Sequence, residues 1–272
     1  MRIAVVKLSS MGDIILSMVA LQFIKKIFPN SKIDWIVEEQ FKNILANNPH
    51  IDNIYTVSIR KAKKEKSIFL FYKELKKMRK LDRYDFVIDA QGLLKSAIVA
   101  KNISTKKNVG FDKKSAREPL ASIFYNQKVS ISYYENTIDR NVAVMCKPLE
   151  IEVTSNEILN KDPFIFTSND KKLNIKPYIV FVIGSTWESR NYPKEKFLEI
   201  ANKLKIKCIV IWGNESEMIK AKWMEIQSEF IELAPKLELD DLKQLINNSV
   251  LVIGNDTGPS HLAWAMNLPS II

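Results

Sequence analysis

Cysteine and histidine are nearly missing from this chain: Cys146, Cys208, His50 and His261 are the only ones among 272 residues. Two cysteines supply neither a disulfide framework nor a thiolate metal set. Two histidines do not furnish a histidine-based metal centre or a triad with a choice of bases. Glycine is scarce as well, with seven in all. The first strand-to-helix turn, Ser9-Ser-Met-Gly-Asp13, holds one glycine where a dinucleotide fingerprint would need the G-x-G-x-x-G series. No D-x-D pair occurs, so no metal and no other cofactor is expected. Long apolar runs are absent too. None approaches the roughly 20 residues of a membrane span, and no signal-peptide pattern opens the chain. A cytoplasmic protein is expected.

What the chain has in excess is positive charge, 41 basic against 31 acidic residues. A dense part of it lies between Arg60 and Arg83, a stretch with eleven Lys or Arg against Glu65, Glu74 and Asp82. The plain reading is a solvated helix face over a buried stripe of Ile68, Leu70, Phe71, Leu75 and Met78. The sharper one is a surface that meets an anion: nucleic acid, anionic lipid or a phosphorylated saccharide.

Along the chain, strand-like apolar runs alternate with helical patterns. The run 2–8 reads as a buried strand, and 14–28 carries apolar residues at helical spacing. Strands are expected at 32–37, 53–59 and 84–90, and helices at 92–101, 116–126 and 135–147. A polar stretch over about 150–176 reads as a linker. The alternation then restarts, with strands at 177–183, 207–212 and 250–253 and helices at 193–204, 215–229, 240–247 and 260–266. This is an α/β pattern of two Rossmann-like domains, 1–155 and 156–272, facing across a cleft at the carboxyl ends of their parallel sheets. The chain stops at Ile272 inside an apolar run that begins a new strand, so the second domain is expected to be incomplete.

Four strand-to-helix loops carry candidate chemistry. In the second half, Gly254-Asn-Asp-Thr-Gly-Pro-Ser-His261 offers backbone N–H groups and a helix N-terminus to a phosphate. Gly184-Ser-Thr-Trp-Glu-Ser-Arg190 adds hydroxyls and a guanidinium, and Trp212-Gly-Asn-Glu-Ser-Glu217 adds a carboxylate for ribose hydroxyls or an adenine amine. Each alone is ordinary turn and capping chemistry. Together, on one sheet edge, they read as a nucleotide-diphosphate site. The fourth loop ends in Asp13, either a helix cap or a base that takes a proton from an acceptor hydroxyl during glycosyl transfer.

Val5-Val-Lys-Leu-Ser-Ser-Met-Gly-Asp13, Val87-Ile-Asp-Ala-Gln-Gly-Leu93, Ala116-Arg-Glu-Pro-Leu-Ala-Ser-Ile-Phe-Tyr-Asn126 and Asp256-Thr-Gly-Pro-Ser-His261 resemble motifs of the ADP-heptose:lipopolysaccharide heptosyltransferases. The likeness spans residues 1–272 and is closest to the branch that adds the first heptose of the inner core. It implies a GT-B fold and an inverting, metal-independent transferase. The implied donor is ADP-heptose, and the implied acceptor is the Kdo region of Kdo2-lipid A at the cytoplasmic face of the inner membrane, where the protein would be peripheral. Asp13 is then the implied general base. Ser185, Thr186, Arg190, Glu217, Asp256, Thr257, Gly258 and His261 fall on donor-site positions, Ser185 replacing a threonine and Arg190 a lysine. Ser10, Arg60, Lys64 and Arg117 fall on acceptor-site positions. Relatives continue past Ile272 with a Gly-Pro-Thr-like loop and further helices. A monomer is expected. The alternatives are a GT-B transferase for a later heptose or another nucleotide-sugar, and a nucleic-acid-binding protein using residues 60–83. Phe69, Phe71 and Tyr72 sit in the amphipathic pattern, which argues against the last and for no nucleic-acid partner.

Overall fold

The computed structural model describes residues 1–168, 177–185 and 188–272. They form two compact units, Met1–Phe164 and Ile165–Ile272. The first is built on strands β1 (Arg2–Val6), β2 (Lys32–Glu38), β3 (Asn53–Val57), β4 (Tyr84–Asp89), β5 (Thr105–Phe111) and β6 (Gln127–Val129). All pair in parallel, in the order β3-β2-β1-β4-β5-β6. Covered on both faces, the central strands read as continuous apolar runs; Ile3 to Val6 are fully buried. Strand order reverses between β1 and β4, and at such a switch point the loops leaving the two strands part and open a crevice.

The second unit repeats the plan with β7 (Tyr178–Val182), β8 (Lys207–Ile211), β9 (Ile231–Leu233), β10 (Leu251–Gly254) and β11 (Ser270–Ile271), in the parallel order β11-β10-β7-β8-β9. Its switch point lies between β7 and β10. Both cysteines are buried, and burial pushes the thiol of Cys146 up to about 12 and that of Cys208 up to about 11.

Several elements differ from the sequence pattern. The first helix starts at Met11, before Ile14, and divides into Met11–Met18 and Ala20–Ile27. The Ser17 hydroxyl donates back to the Ile14 carbonyl just before the break, a bond that bends helices. Residues 116–126 form not an α-helix but a 3-10 helix, Pro119–Phe124, clamped where Asn126 and Asn108 exchange hydrogen bonds. Strand β5 escaped the pattern because Lys106 and Lys107 interrupt its apolar run. The units divide after Phe164, later than the 155/156 join expected from the polar stretch. Helix Ser155–Leu159 belongs to the first unit: Ile158 is buried, Glu157 pairs with Lys26, and the Asn48 amide donates to the Phe164 carbonyl. In the basic stretch two helices form, Ile59–Lys64 and Ile68–Met78. Leu75 and Met78 are buried and Phe71 packs against their cluster, as the stripe required, but Ile68, the first residue of the second helix, is 85% exposed.

Candidate active site

In the first unit the site grows from the loop that leaves β1. Ser10 is the N-cap of helix Met11–Met18, and Asp13, three residues in, completes a capping box with it, so the helix-cap reading of Asp13 holds in that form. One carboxylate oxygen of Asp13 accepts from both the backbone N–H and the hydroxyl of Ser10, at 3.0 and 2.8 Å. The carboxylate is thereby fixed at the crevice while remaining partly open to solvent.

The loop leaving β4 holds the first loop in place. The Gln91 side chain accepts from the Leu8 N–H at 2.8 Å and donates to the Ser9 hydroxyl at 3.3 Å. Asp89, fully buried, accepts from the backbone of Gln91 and Gly92 and from the Tyr125 hydroxyl at 2.7 Å. Burial raises its pKa, and those hydrogen bonds oppose the rise. Gly92 has φ +69, a left-handed turn in which a side chain is strained. Tyr125 reaches Asp89 only because Gly110 is bare: a Cβ there would lie 2.3 Å from the tyrosine ring. The motifs at 87–93 and 116–126 therefore act largely as scaffold for the Asp13 loop.

Asp13 lines a cavity of about 260 Å³ together with Lys7, Gln91, Arg117, Arg140 and Asn141. Three cations, Lys7, Arg117 and Arg140, line it against two carboxylates, Asp13 and Glu135. Lys7 is buried, donating to the Ala90 carbonyl at 2.8 Å and the Asn141 side-chain oxygen at 3.1 Å. Burial lowers its pKa to about 8; the Asp13 and Asp89 carboxylates resist that fall, and Arg140 and Arg117 add to it. Arg140 donates to the carbonyls of Ser132 and Ser115, and its guanidinium stands 5.0 Å and 4.9 Å from the centres of the Phe111 and Tyr133 rings. Among the described residues, neither Lys7 nor Arg140 has a carboxylate within 4.0 Å. The amide nitrogen of Asn141 is buried without a hydrogen-bond partner. Cations without a direct ion pair and an unused donor on one cavity wall suit an anionic, oxygen-rich guest.

Of the basic residues expected at the acceptor, Arg117 comes to this cavity. Arg60 lines a neighbouring groove, its guanidinium 5.4 Å from the centre of the Phe41 ring, and Lys64 lies exposed and lines neither. Lys7, Arg140 and Asn141 were not singled out as site residues: Lys7 falls inside the Val5–Asp13 motif but within a strand-like run, and a helical Arg-Asn pair carries no motif.

In the second unit, the loops leaving β7, β8 and β10 meet around two side chains. Asn255, also missed, is buried: its amide donates to the Ile183 carbonyl at 2.8 Å and its oxygen accepts from the Tyr192 N–H at 2.9 Å. It ties the loop bearing Ser185 and Arg190 to the loop bearing Asp256. Gly254 enters that loop with no room for a side chain, since a Cβ would lie 2.4 Å from that of Val182. Glu217 accepts from the Gly213 N–H at 2.6 Å and the Asn214 amide at 2.7 Å, and its carboxylate abuts Gly184. Thr257 is the N-cap of helix Gly258–Ala265, which turns the N–H groups of its first turn outward. Ser260 is buried and donates to the Asn255 carbonyl. The His261 imidazole stands 3.3 Å from the Asp256 carboxylate. Arg190 is exposed, and Ser185 is half-buried at the end of the same loop. Thr186 lies outside the described residues.

Comparison with known proteins gives this layout a family. Residues 72–272 match the model of glycosyltransferase family 9 (heptosyltransferase). The chain is 38% identical over its whole length to lipopolysaccharide heptosyltransferase 1 of Campylobacter coli, covering 83% of that protein. It is 30% identical to lipopolysaccharide heptosyltransferase 1 of Escherichia coli K12, covering 86%. Among solved structures, the E. coli heptosyltransferase WaaC with ADP-2-deoxy-2-fluoro heptose superposes with a TM-score of 0.85 at 30% identity, over 99% of this chain and 87% of that one. A family 9 glycosyl transferase from Veillonella parvula, at 21% identity and a TM-score of 0.81, shares the fold. Two doubly wound parallel units in one chain, each with its polar loops at the switch point, are the parts of a GT-B transferase, and the sequence match runs the full length of both. The chain is a glycosyltransferase and belongs to family 9, the heptosyltransferases.

Proposed function

We propose that the protein transfers heptose from ADP-heptose to Kdo2-lipid A, the first heptose addition of the lipopolysaccharide inner core, acting peripherally at the cytoplasmic face of the inner membrane. The observation that carries the reading is the Asp13 carboxylate, gripped by both donors of Ser10 on the wall of a cationic cavity. An acceptor hydroxyl seated there loses its proton to Asp13 as its oxygen attacks the anomeric carbon. The bond from that carbon to the diphosphate oxygen breaks, the electron pair leaves with ADP, and configuration inverts. Lys7, Arg117, Arg140 and the free Asn141 amide suit the carboxylate of a sugar acid beside the attacking hydroxyl. On the donor side, backbone N–H groups at Thr257 and Gly258, the helix N-terminus, His261 and Arg190 take up the charge that develops on the diphosphate. Asp256 orients the imidazole, and Glu217 faces the nucleoside.

The test is transfer from ADP-heptose to Kdo2-lipid A, with a chelator present, by the wild type and by Asp13→Ala. A positioned base contributes roughly 10²- to 10⁴-fold. A loss in that range with ADP binding intact supports the assignment, and wild-type-like turnover by the variant removes Asp13 from the reaction.

A further inference from the structure

The groove beside the Asp13 cavity poses a separate question. It has a volume of about 820 Å³ and runs between helices Ile59–Lys64 and Ile68–Met78 on one bank and Leu93, Leu94, Lys95 and Glu118 on the other. Both banks carry large apolar side chains turned to solvent. Ile68 is 85% exposed, Phe69 75% and Tyr72 52% on the first; Leu120 is 63% and Ile123 70% on the 3-10 helix that follows Glu118. The second bank is held together where the Glu118 carboxylate accepts from the Leu94 N–H, and Ile68 of the first bank lines the same hollow as Leu94 and Glu118. Scattered apolar residues on a surface need no explanation, but here Ile68 lines the groove, Phe69 and Tyr72 share its helix, and Leu120 and Ile123 follow Glu118 directly, five on the two elements that bank it.

Their neighbours are cations. Lys63 and Lys66 line the groove, Lys64 is exposed between them in sequence, and Lys73 and Lys76 continue the exposed face of Ile68–Met78 one and two turns beyond Phe69. Among the described residues none of these five lysines has a carboxylate within 4.0 Å. The helix thus shows solvent an apolar first turn that becomes cationic, while Leu75 and Met78 hold it to the core. A nucleic acid would leave the aliphatic Ile68, Leu120 and Ile123 unused, and a protein partner would not call for so large an excess of lysine over the two carboxylates present, Glu65 and Glu118. An interface that is apolar within and anionic at its edge matches both parts.

We infer that this face, centred on Ile68, Phe69, Leu120 and Ile123 and rimmed by Lys63, Lys66, Lys73 and Lys76, docks the protein on the surface of an anionic bilayer. The apolar side chains enter the headgroup region and the lysines lie within a Debye length of the charged surface. The inference deepens the proposed function by naming the surface from which a lipid-linked acceptor would be drawn. Leu93 lines both the groove and the Asp13 cavity, so the docked face adjoins the proposed acceptor pocket.

Vesicle co-sedimentation of the full chain tests it without any transfer reaction. Vesicles of phosphatidylcholine alone are compared with vesicles containing one quarter phosphatidylglycerol, at low and high salt. The wild type is expected to pellet with the anionic vesicles and to be released by salt, each lysine near the surface contributing about fivefold. The double variant Phe69→Ser/Ile123→Ser is expected to lose roughly tenfold or more in partitioning at low salt. Lys73→Glu/Lys76→Glu is expected to weaken binding to anionic vesicles only. Both pairs lie at exposed positions outside the Asp13 cavity and should keep wild-type transfer to a deacylated, soluble acceptor. Absence of transfer by every form would count against the proposed function and leave the vesicle result standing. The docking surface is overturned if the wild type ignores anionic vesicles or if the apolar pair binds like wild type. It is also overturned if the face instead mediates a vesicle-free dimer that the same substitutions abolish.

Discussion

Replacing Lys7 by methionine separates a functional charge from a structural one. The lysine is buried and its pKa falls from 10.5 to about 8, chiefly through burial. In the unfolded chain it keeps its ordinary value, so the folded state binds this proton more weakly. Above about pH 10.5 both states are neutral at Lys7 and there is no penalty. As pH falls towards 8 the unfolded state gains a proton the folded state resists, and stability drops. Below pH 8 the full penalty, about 3 kcal/mol, is in place. The variant also loses hydrogen bonds to the Ala90 carbonyl and the Asn141 oxygen, a loss largely independent of pH. The useful quantity is therefore a difference of differences. Between pH 7 and pH 9.5 the wild type should gain about 2 kcal/mol relative to Lys7→Met, measured as the change in urea unfolding free energy of each. In parallel, the wild-type KM for Kdo2-lipid A should rise above pH 8 as the ammonium discharges, while the variant's KM should already be high and flat through that window. Parallel stability profiles with pH would refute the buried, pKa-lowered ammonium. Converging profiles with an unchanged KM would refute its part in binding the acceptor.

Three further outcomes follow from the geometry. Arg117→Ala should raise the KM for the acceptor with little effect on ADP affinity, read by steady-state kinetics and calorimetry, because Arg117 lines the Asp13 cavity. Gly254→Ala places a Cβ 2.4 Å from that of Val182 and should cost about 1–3 kcal/mol in thermal or urea unfolding by prising β10 from β7. Asn255→Ala should lower stability by about 2 kcal/mol and weaken ADP binding, since it frees the Tyr192 N–H and the Ile183 carbonyl and unties two loops.

The strands of both sheets were legible where burial on both faces leaves an uninterrupted apolar run, as in β1, β7 and β10. The loops were legible for the same reason: in a parallel sheet each strand's carboxyl end must turn into a helix, and the polar residues gather there. β5 was hidden because its Lys106 and Lys107 project to solvent at the strand's start, and β6 and β9 because three residues carry no period. Ile68 read as core because helical spacing says which residues share a face, not whether the first turn has anything beneath it. Lys7 and Asn255 were invisible for a different reason. Each is made functional by partners more than 60 positions away, Ala90 and Asn141 for the one, Ile183 and Tyr192 for the other, and no local pattern encodes such a pairing.

The parallel sheet of the first unit gives that unit two chemically unlike rims. Asp13, Gln91 and Arg117 all lie beyond the carboxyl ends of the strands, whereas the turns Phe28–Ser31, Asn48–Asp52 and Asn102–Ser104 lead into their amino ends. A fluorophore or surface tether placed on the amino-end rim is separated from the Asp13 cavity by the length of a strand and should leave turnover untouched. A reporter meant to sense acceptor arrival belongs on the other rim. The direction of the strands thus decides which half of this unit can be labelled, immobilised or extended without disturbing its chemistry.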